Sequence, residues 1–331
     1  MTESGSIALI LISLLVLAIA AVLVANAMYA RTDYYKNKIG QTDKFRKIPY
    51  GLKAVNVGST HAREAFRYER NGIEGFNFAL QSQTLSYDYA VLKHYANHLA
   101  PECRVFIPII PLLFCPTHYS GINNRMYYHF LPKECIVHYS ALVNAAESLA
   151  PGLSSLTAIR AILQGTGAPQ SSSMSFPQRE EEAQRMIECW KRNFHLNDVT
   201  DDSQAVPLQS QMEYNREKLR DIVNFCRSRS FIPVIVILPV TDIMASKFSK
   251  SFLQTFVYDN LACVSDQAHI IDYFEDERFA QQYEMFRDSE YLNERGANLF
   301  TRTLLEETSD LALTADERVG QRPLVASNTC K

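Results

Sequence analysis

Two stretches far apart in the chain carry the residue types of acyl-transfer chemistry. The first is Asn56-Val57-Gly58-Ser59-Thr60-His61, where a Val-rich run stops at Gly-Ser and a helical pattern begins. A serine there stands at the carboxyl end of a strand, and the first backbone N–H groups of the helix point into the same space. That arrangement presents a nucleophile beside an oxyanion site. Serine is also a favoured helix N-cap, and a lone Gly-Ser-Thr at such a junction is a cap more often than a nucleophile. The second stretch is Asp288-Ser289-Glu290-Tyr291-Leu292-Asn293, immediately before the last helical pattern. Asp288 there either orients a base or caps the helix region that follows.

Other candidates surround these two. In "GFNFALQSQTLSYDY", from Gly75, an apolar run breaks into Gln81-Ser82-Gln83 and then resumes as a helix. The amides and the hydroxyl either line a pocket or satisfy a turn and cap the helix starting near Thr84, and Asn77 carries the same two readings. A nucleophilic serine needs a base. His118, after an apolar strand ending near Phe114, and His61, two residues from Ser59, are the candidates. His94 and His98 have the i, i+4 spacing of metal ligands, yet fall opposite the Leu85, Leu92, Leu99 stripe and read as a solvated face. No metal site and no cofactor is expected. The charge run "REEEAQRM" from Arg179 opens an amphipathic helix, where acidic residues complement the dipole, and is given no catalytic role.

The elements that must position these residues alternate. "LKAVNVG" and "GFNFAL" read as short strands flanking a helix, and "RVFIPIIPLLF" and "FIPVIVILP" as strands buried on both faces. Helices are predicted from Thr84, over "SQMEYNREKLRDIVNFCRSRS" and over "NERGANLFTRTLLEE". Alternation of this kind predicts an α/β fold, a three-layer doubly wound parallel sheet whose ligands sit beyond the carboxyl ends of the strands. The expected organisation is an N-terminal transmembrane anchor (1–30), a juxtamembrane connector (31–50) and one domain (51–307). A mainly helical insertion at about 120–207 interrupts that domain, and a mobile tail (308–331) follows it.

The anchor is read from "IALILISLLVLAIAAVLVANAMYA", beginning at Ile7, whose about 19 nearly uninterrupted apolar residues suffice to cross a bilayer as a helix. The leader "MTESGS" lacks the basic region of a cleaved signal peptide. Arg31, Lys36, Lys38, Lys44, Arg46 and Lys47 follow, and by charge alone they favour a cytoplasmic flank. The 331 residues are 47% hydrophobic with a net charge of −3, and no Lys/Arg stripe is interleaved with aromatics, which argues against a nucleic-acid partner. Seven cysteines without C-x-x-C pairs indicate neither a zinc site nor a disulfide framework.

Taken together, "NVGSTHAREAF", the strand "VIVILP" and "DSEYLNERGANLFTRTL" resemble the SGNH (GDSL-like) esterase and acyltransferase superfamily. More narrowly, they look like its membrane-anchored members in bacterial surface-polymer acylation, relatives of teichoic acid D-alanyl transfer and alginate O-acetylation proteins. The resemblance covers roughly 51–114 and 231–305. It implies an SGNH-like, flavodoxin-like domain at the cell membrane, facing the exterior, that acts on a surface glycopolymer or acyl donor beside a membrane-bound O-acyltransferase. It implies Ser59 as nucleophile, oxyanion donors at Thr60 N–H and near Ser82, and Asp288 as the orienting acid. Where the family pattern is Asp-x-x-His, this chain has Tyr291, whose unperturbed pKa of about 10 makes it a poor base. The catalytic expectation therefore stands beside a second, a non-catalytic module that kept the fold and binds glycan or scaffolds an acylation complex.

Overall fold

The computed structural model describes residues 3–115, 124–165, 174–200 and 206–311. Its strands are β1 (Leu52–Asn56), β2 (Gly75–Asn77), β3 (Leu99–Ile109), β4 (Ile232–Ile237) and β5 (His269–Asp272). The α-helices of six residues or more among the described residues, in chain order, are α1 (Glu3–Arg31), α2 (Thr60–Ala65), α3 (Leu85–Tyr95), α4 (Ala141–Leu149), α5 (Leu156–Gln164), α6 (Phe176–Phe194), α7 (Val206–Ser228) and α8 (Glu294–Glu307). The chain divides into two units: residues 1–47 with 121–170, and residues 48–120 with 171–330.

In the larger unit the five strands form one sheet in the order β2-β1-β3-β4-β5, every neighbouring pair parallel. This is the doubly wound α/β sheet that the alternation predicts. Side chains alternate across it. Ala54, Phe106, Val234 and Val236 pack with Ala62, Ala65 and Phe66 of the α2 segment and with Ala297, Phe300 and Leu304 of α8. The intervening Val55, Val105 and Ile235 are also wholly buried, while α3 packs on α7 and α7 on β4. Burying side chains such as Phe66 or Phe300 is worth roughly 1.5–3 kcal/mol each, which makes this layer the main source of stability for α2.

Strand β5 was not expected from the sequence. It pairs with β4 from Val234↔His269 to Ile237↔Asp272, but three of its four residues are exposed, so it has no apolar run. Its edge position explains the weak signal.

Because β1 lies between β2 and β3, the chain leaves the carboxyl ends of β1 and β3 in opposite directions. A crevice opens at such a switch point, and ligands of doubly wound sheets bind there. The Ser59 segment follows β1. His118, in the segment after β3, lies outside the described residues, as does the tail from residue 312.

In the smaller unit, α1 contains one stretch, Leu9–Arg31, long and apolar enough to span a membrane, a property that signal sequences share. Near its end, Val22, Ala25, Asn26 and Tyr29 recur at i, i+3, i+4, i+7 as its least exposed face. The Asn26 amide donates to Leu149 O at 3.2 Å and accepts Gly152 N–H at 3.0 Å. The expected connector is ordered: Thr32 Oγ1 accepts Tyr35 N–H to cap a short helix, and Phe45 stacks on Phe130 at 4.0 Å.

Candidate active site

The turn after β1 is built for close approach. Gly58 has φ +115°, and a Cβ there would meet the Cβ of Ala62 at 2.8 Å, so the first turn of α2 can lie directly against the strand end only with glycine. A buried carboxylate fastens the turn from the other side. Asp88 of α3 accepts Gly58 N–H at 2.7 Å and the Gln83 side-chain amide at 2.7 Å through the same oxygen. Burial pushes the Asp88 carboxyl up to about 7, against those two hydrogen bonds, which lower it. Asp88 was not singled out in the sequence, although a signal existed: it stands three residues after Leu85 and four before Leu92, a carboxylate inside an apolar stripe.

Ser59 occupies the N-cap position of α2 with extended backbone, yet its hydroxyl makes no capping hydrogen bond. Ser59 is thus the N-cap by backbone position, without the side-chain hydrogen bond that favours serine there. Beside it, Thr60 Oγ1 accepts Ser82 N–H at 3.3 Å, so the N–H of Ser82, expected at the oxyanion site, is engaged within the turn. Ser82 has φ +56°, a left-handed conformation that favours glycine.

The amides of this region are divided between two tasks. Asn77 is spent on structure: its Nδ2 donates to the Ala62, Arg63 and Phe66 carbonyls at the end of α2, and its Oδ1 accepts from Asn56 and from Ala79 N–H. Both of its polar atoms are engaged away from any ligand. Gln83 is the residue that holds Asp88, and it is buried. Gln81 keeps a buried Oε1 without a hydrogen-bond partner, so of the three it is the one whose side chain has capacity left.

The second stretch arrives opposite α2. His61 Nε2 lies 2.9 Å from Glu290 Oε2, and the Glu290 side chain is inaccessible to solvent. The His61 ring sits 4.5 Å from the Tyr291 ring and 6.5 Å from Trp190. His61, a candidate base by sequence, is thus engaged in a long-range pairing with the segment before α8. Nothing in the spacing of the sequence marks Glu290 as the partner of an imidazole.

Asp288, the expected orienting acid, has a different task. Its Oδ1 accepts Glu290 N–H at 3.1 Å and Tyr291 N–H at 2.8 Å, and its Oδ2 accepts Arg287 Nε–H at 3.1 Å. The carboxylate folds the loop in which it stands, and the carboxylate presented to an imidazole is Glu290. Tyr291 lies under the Arg287 guanidinium at 4.8 Å. Burial, then the charges of Glu290 and Asp288, hold its phenol far above the ordinary range, so it can donate a hydrogen bond but cannot serve as a base.

Helix α6 braces this loop. The Arg179 guanidinium is buried and donates to the carbonyls of Asp288 at 2.5 Å, Tyr283 at 2.9 Å and Phe286 at 3.2 Å, while Ser289 Oγ donates back to Arg179 O at 2.7 Å. Three residues on, the Glu182 carboxyl is pushed up by burial and by the charges of Asp288 and Glu290. The charge run that opens α6 is therefore a clamp on the loop, and a solvated face only in part.

The sequence matches no protein-family model and no curated protein. Among solved structures it is similar to a Bacteroides fragilis NCTC 9343 protein described as a candidate acylhydrolase, at 10% identity and a TM-score of 0.35, over 81% of this chain and 92% of that one.

Proposed function

We propose that this chain is a membrane-anchored SGNH-like acyl-transfer protein in which Ser59 carries the acyl group and His61, oriented by Glu290, replaces the histidine missing at 291. The observation that carries the reading is the His61–Glu290 contact at 2.9 Å, two residues from a serine hydroxyl that caps nothing. If Nε2–H donates to Glu290, Nδ1 is the nitrogen left to accept the serine proton. Ser59 Oγ then attacks an acyl carbonyl, its proton passes to His61 Nδ1, and Glu290 stabilises the imidazolium. Collapse of the tetrahedral intermediate returns that proton to the leaving alcohol. The acyl group leaves Ser59 for a second hydroxyl, or for water, by the reverse steps. The oxyanion is assigned to the Thr60 backbone N–H, because the Ser82 N–H is given to Thr60 Oγ1.

The resemblance in the sequence supports a glycopolymer outside the cytoplasm as the acyl acceptor or donor, a single-pass anchor in the cell membrane, and a membrane-bound O-acyltransferase as partner. A second reading is favoured by Tyr291, whose ring lies tilted against His61 at 4.5 Å where an imidazole would complete the family pattern. In it the domain has lost its base and binds glycan or scaffolds the acylation complex.

Labelling of the full chain with a fluorophosphonate serine probe separates the two. Labelling of the wild type that disappears in both Ser59→Ala and His61→Ala supports the acyl-transfer reading. A silent wild type with a Tyr291→His variant that labels at Ser59 supports the binding module. Labelling that persists in Ser59→Ala overturns both assignments of the site.

A further inference from the structure

The helices α4 and α5 and the turn between them wear their apolar residues on the outside. Leu142 is 84% exposed, Leu149 74%, Leu156 73% and Leu163 80%, with Leu153 and Ile159 also exposed. On α4 the outward face runs Leu142, Ala145, Leu149, and on α5 it runs Leu156, Ile159, Leu163, each at i, i+3, i+7. The inward side of α4 is where its one charged residue lies: Glu147 is buried and pairs with Arg125 at 2.5 Å, with His129 beside it at 3.5 Å. Arg160 is the one charged residue of α5. On α4, charge inside and leucine outside is the reverse of what water selects, while on α5 Arg160 is exposed beside Ile159.

The position of this face along α1 tells what covers it. Gly152, in the turn between α4 and α5, approaches α1 so closely that a Cβ there would stand 2.6 Å from the carbonyl oxygen of Ala25, and Asn26 bonds both Leu149 O and Gly152 N–H. From Ile7 to Ala21, α1 is apolar but for Ser13, and every residue of that stretch whose exposure is described is exposed. From Ile7 to Ala21 it supplies about 15 residues, or ~22 Å of helix. A hydrocarbon core of ~30 Å needs about 20 residues, which carries the lipid to the level of Ala25 and Asn26. The contact with the turn is therefore at membrane depth.

We propose that the segment from Ser140 to Gln164 is a membrane-embedded hairpin that lays the leucine faces of α4 and α5 into the bilayer crossed by α1. The inference rests on the reading of α1 as a membrane span. Interfacial helices sink their apolar face about 5–10 Å into the boundary between headgroups and acyl chains, which fits two short helices joined beside the end of a span. With one charged residue each, these helices bind through apolar area, so their insertion is insensitive to salt and to anionic lipid.

The test uses the full chain in phosphatidylcholine nanodiscs with and without bromine on the acyl chains. Single-tryptophan reporters Leu142→Trp, Leu149→Trp, Leu156→Trp and Leu163→Trp are placed in a Trp190→Phe background, with Leu15→Trp in α1 as the depth control. The expected result is blue-shifted emission that brominated lipid quenches at least two-fold at all five positions, unchanged at high salt. Quenching at Leu15→Trp with water-like emission at the other four overturns the hairpin and leaves the anchor intact. Blue-shifted but unquenched emission at those four also overturns it, because protein and not lipid then covers the face. Absence of quenching at Leu15→Trp overturns the membrane-span reading on which the inference stands.

Discussion

Asp88 Oδ1 receives the Gly58 amide at 2.7 Å, so a carboxylate of α3 fastens the turn on which Ser59 stands. The partner is a backbone N–H and the environment is dry, which makes the charged form of Asp88 expensive despite two good hydrogen bonds. The turn is consequently held by a group that titrates near neutrality.

The sign of the resulting pH dependence follows from proton binding. Asp88 has a folded pKa raised to about 7, and its unfolded value is near 3.9. Between those values the folded state holds the extra proton. Stability contributed by Asp88 is therefore greatest at low pH, falls as pH rises through this window by up to about 1.4 kcal/mol per unit, and is flat above it. Asp88→Asn keeps an acceptor for Gly58 N–H and removes the titration. Denaturant melts at a series of pH values are expected to show a flatter profile for the variant between pH ~4 and ~7, and parallel profiles would contradict this account.

Gly58→Ala combines a left-handed backbone with a steric contact at Ala62 Cβ. The backbone costs about 1–2 kcal/mol and the overpacking about 1–3, so a loss of roughly 2–5 kcal/mol is expected in chemical denaturation. Adding Ala62→Gly relieves the second part only. A double-mutant cycle is expected to show favourable coupling between the two substitutions, and additivity would mean that the contact does not exist.

Arg179→Met removes the donor from three loop carbonyls that water does not replace. At about 1–3 kcal/mol for each buried group left unpaired, a loss of at least ~3 kcal/mol is expected. Arg179→Lys keeps the charge, but a single ammonium cannot fork to Asp288, Tyr283 and Phe286, so it recovers only part of that loss. Limited proteolysis is expected to show new cleavage between 283 and 291 in both variants. Unchanged protection would show that α6 does not brace the loop.

Glu290→Gln keeps the shape of the residue that holds His61 and removes its charge. If His61 is the base, the rate of fluorophosphonate labelling at Ser59 is expected to fall by about 10²–10⁴, because the imidazolium loses its counter-ion and the ring its tautomer. Asp288→Asn is the control. It weakens the loop, yet its carboxylate does not contact the imidazole, so its labelling rate is expected to stay closer to that of the wild type. The reverse ranking would return the orienting role to Asp288.

Much of the architecture was legible in the chain. The buried runs of β3 and β4 are continuous because both faces are covered, and the apolar length of α1 needs no tertiary context to be read. The Gly58-Ser59 turn was legible for a similar local reason: a strand, a glycine and a helix start in succession leave few other conformations. Strand β5 escaped because an edge strand with exposed residues has no apolar periodicity. Asp88 escaped because a charged residue in a stripe of leucines is discounted when the stripe is scored as apolar.

What the sequence by itself determined is thus local: the parallel sheet, the long apolar N-terminal helix and the place of Ser59 at the end of the first strand. The tertiary structure decided the partners. His61 and Glu290 stand 229 residues apart, and nothing in their spacing distinguishes Glu290 from Asp288 two positions earlier. That choice is made by the backbone of the loop before α8, which turns the Asp288 carboxylate onto its own N–H groups and leaves Glu290 to meet the imidazole. The same holds for the leucines of α4 and α5. Their spacing marks an apolar face, but only the packing of the turn at Gly152 against Ala25 decides that the face looks outward beside the end of α1, because burial is a property of neighbours and not of sequence.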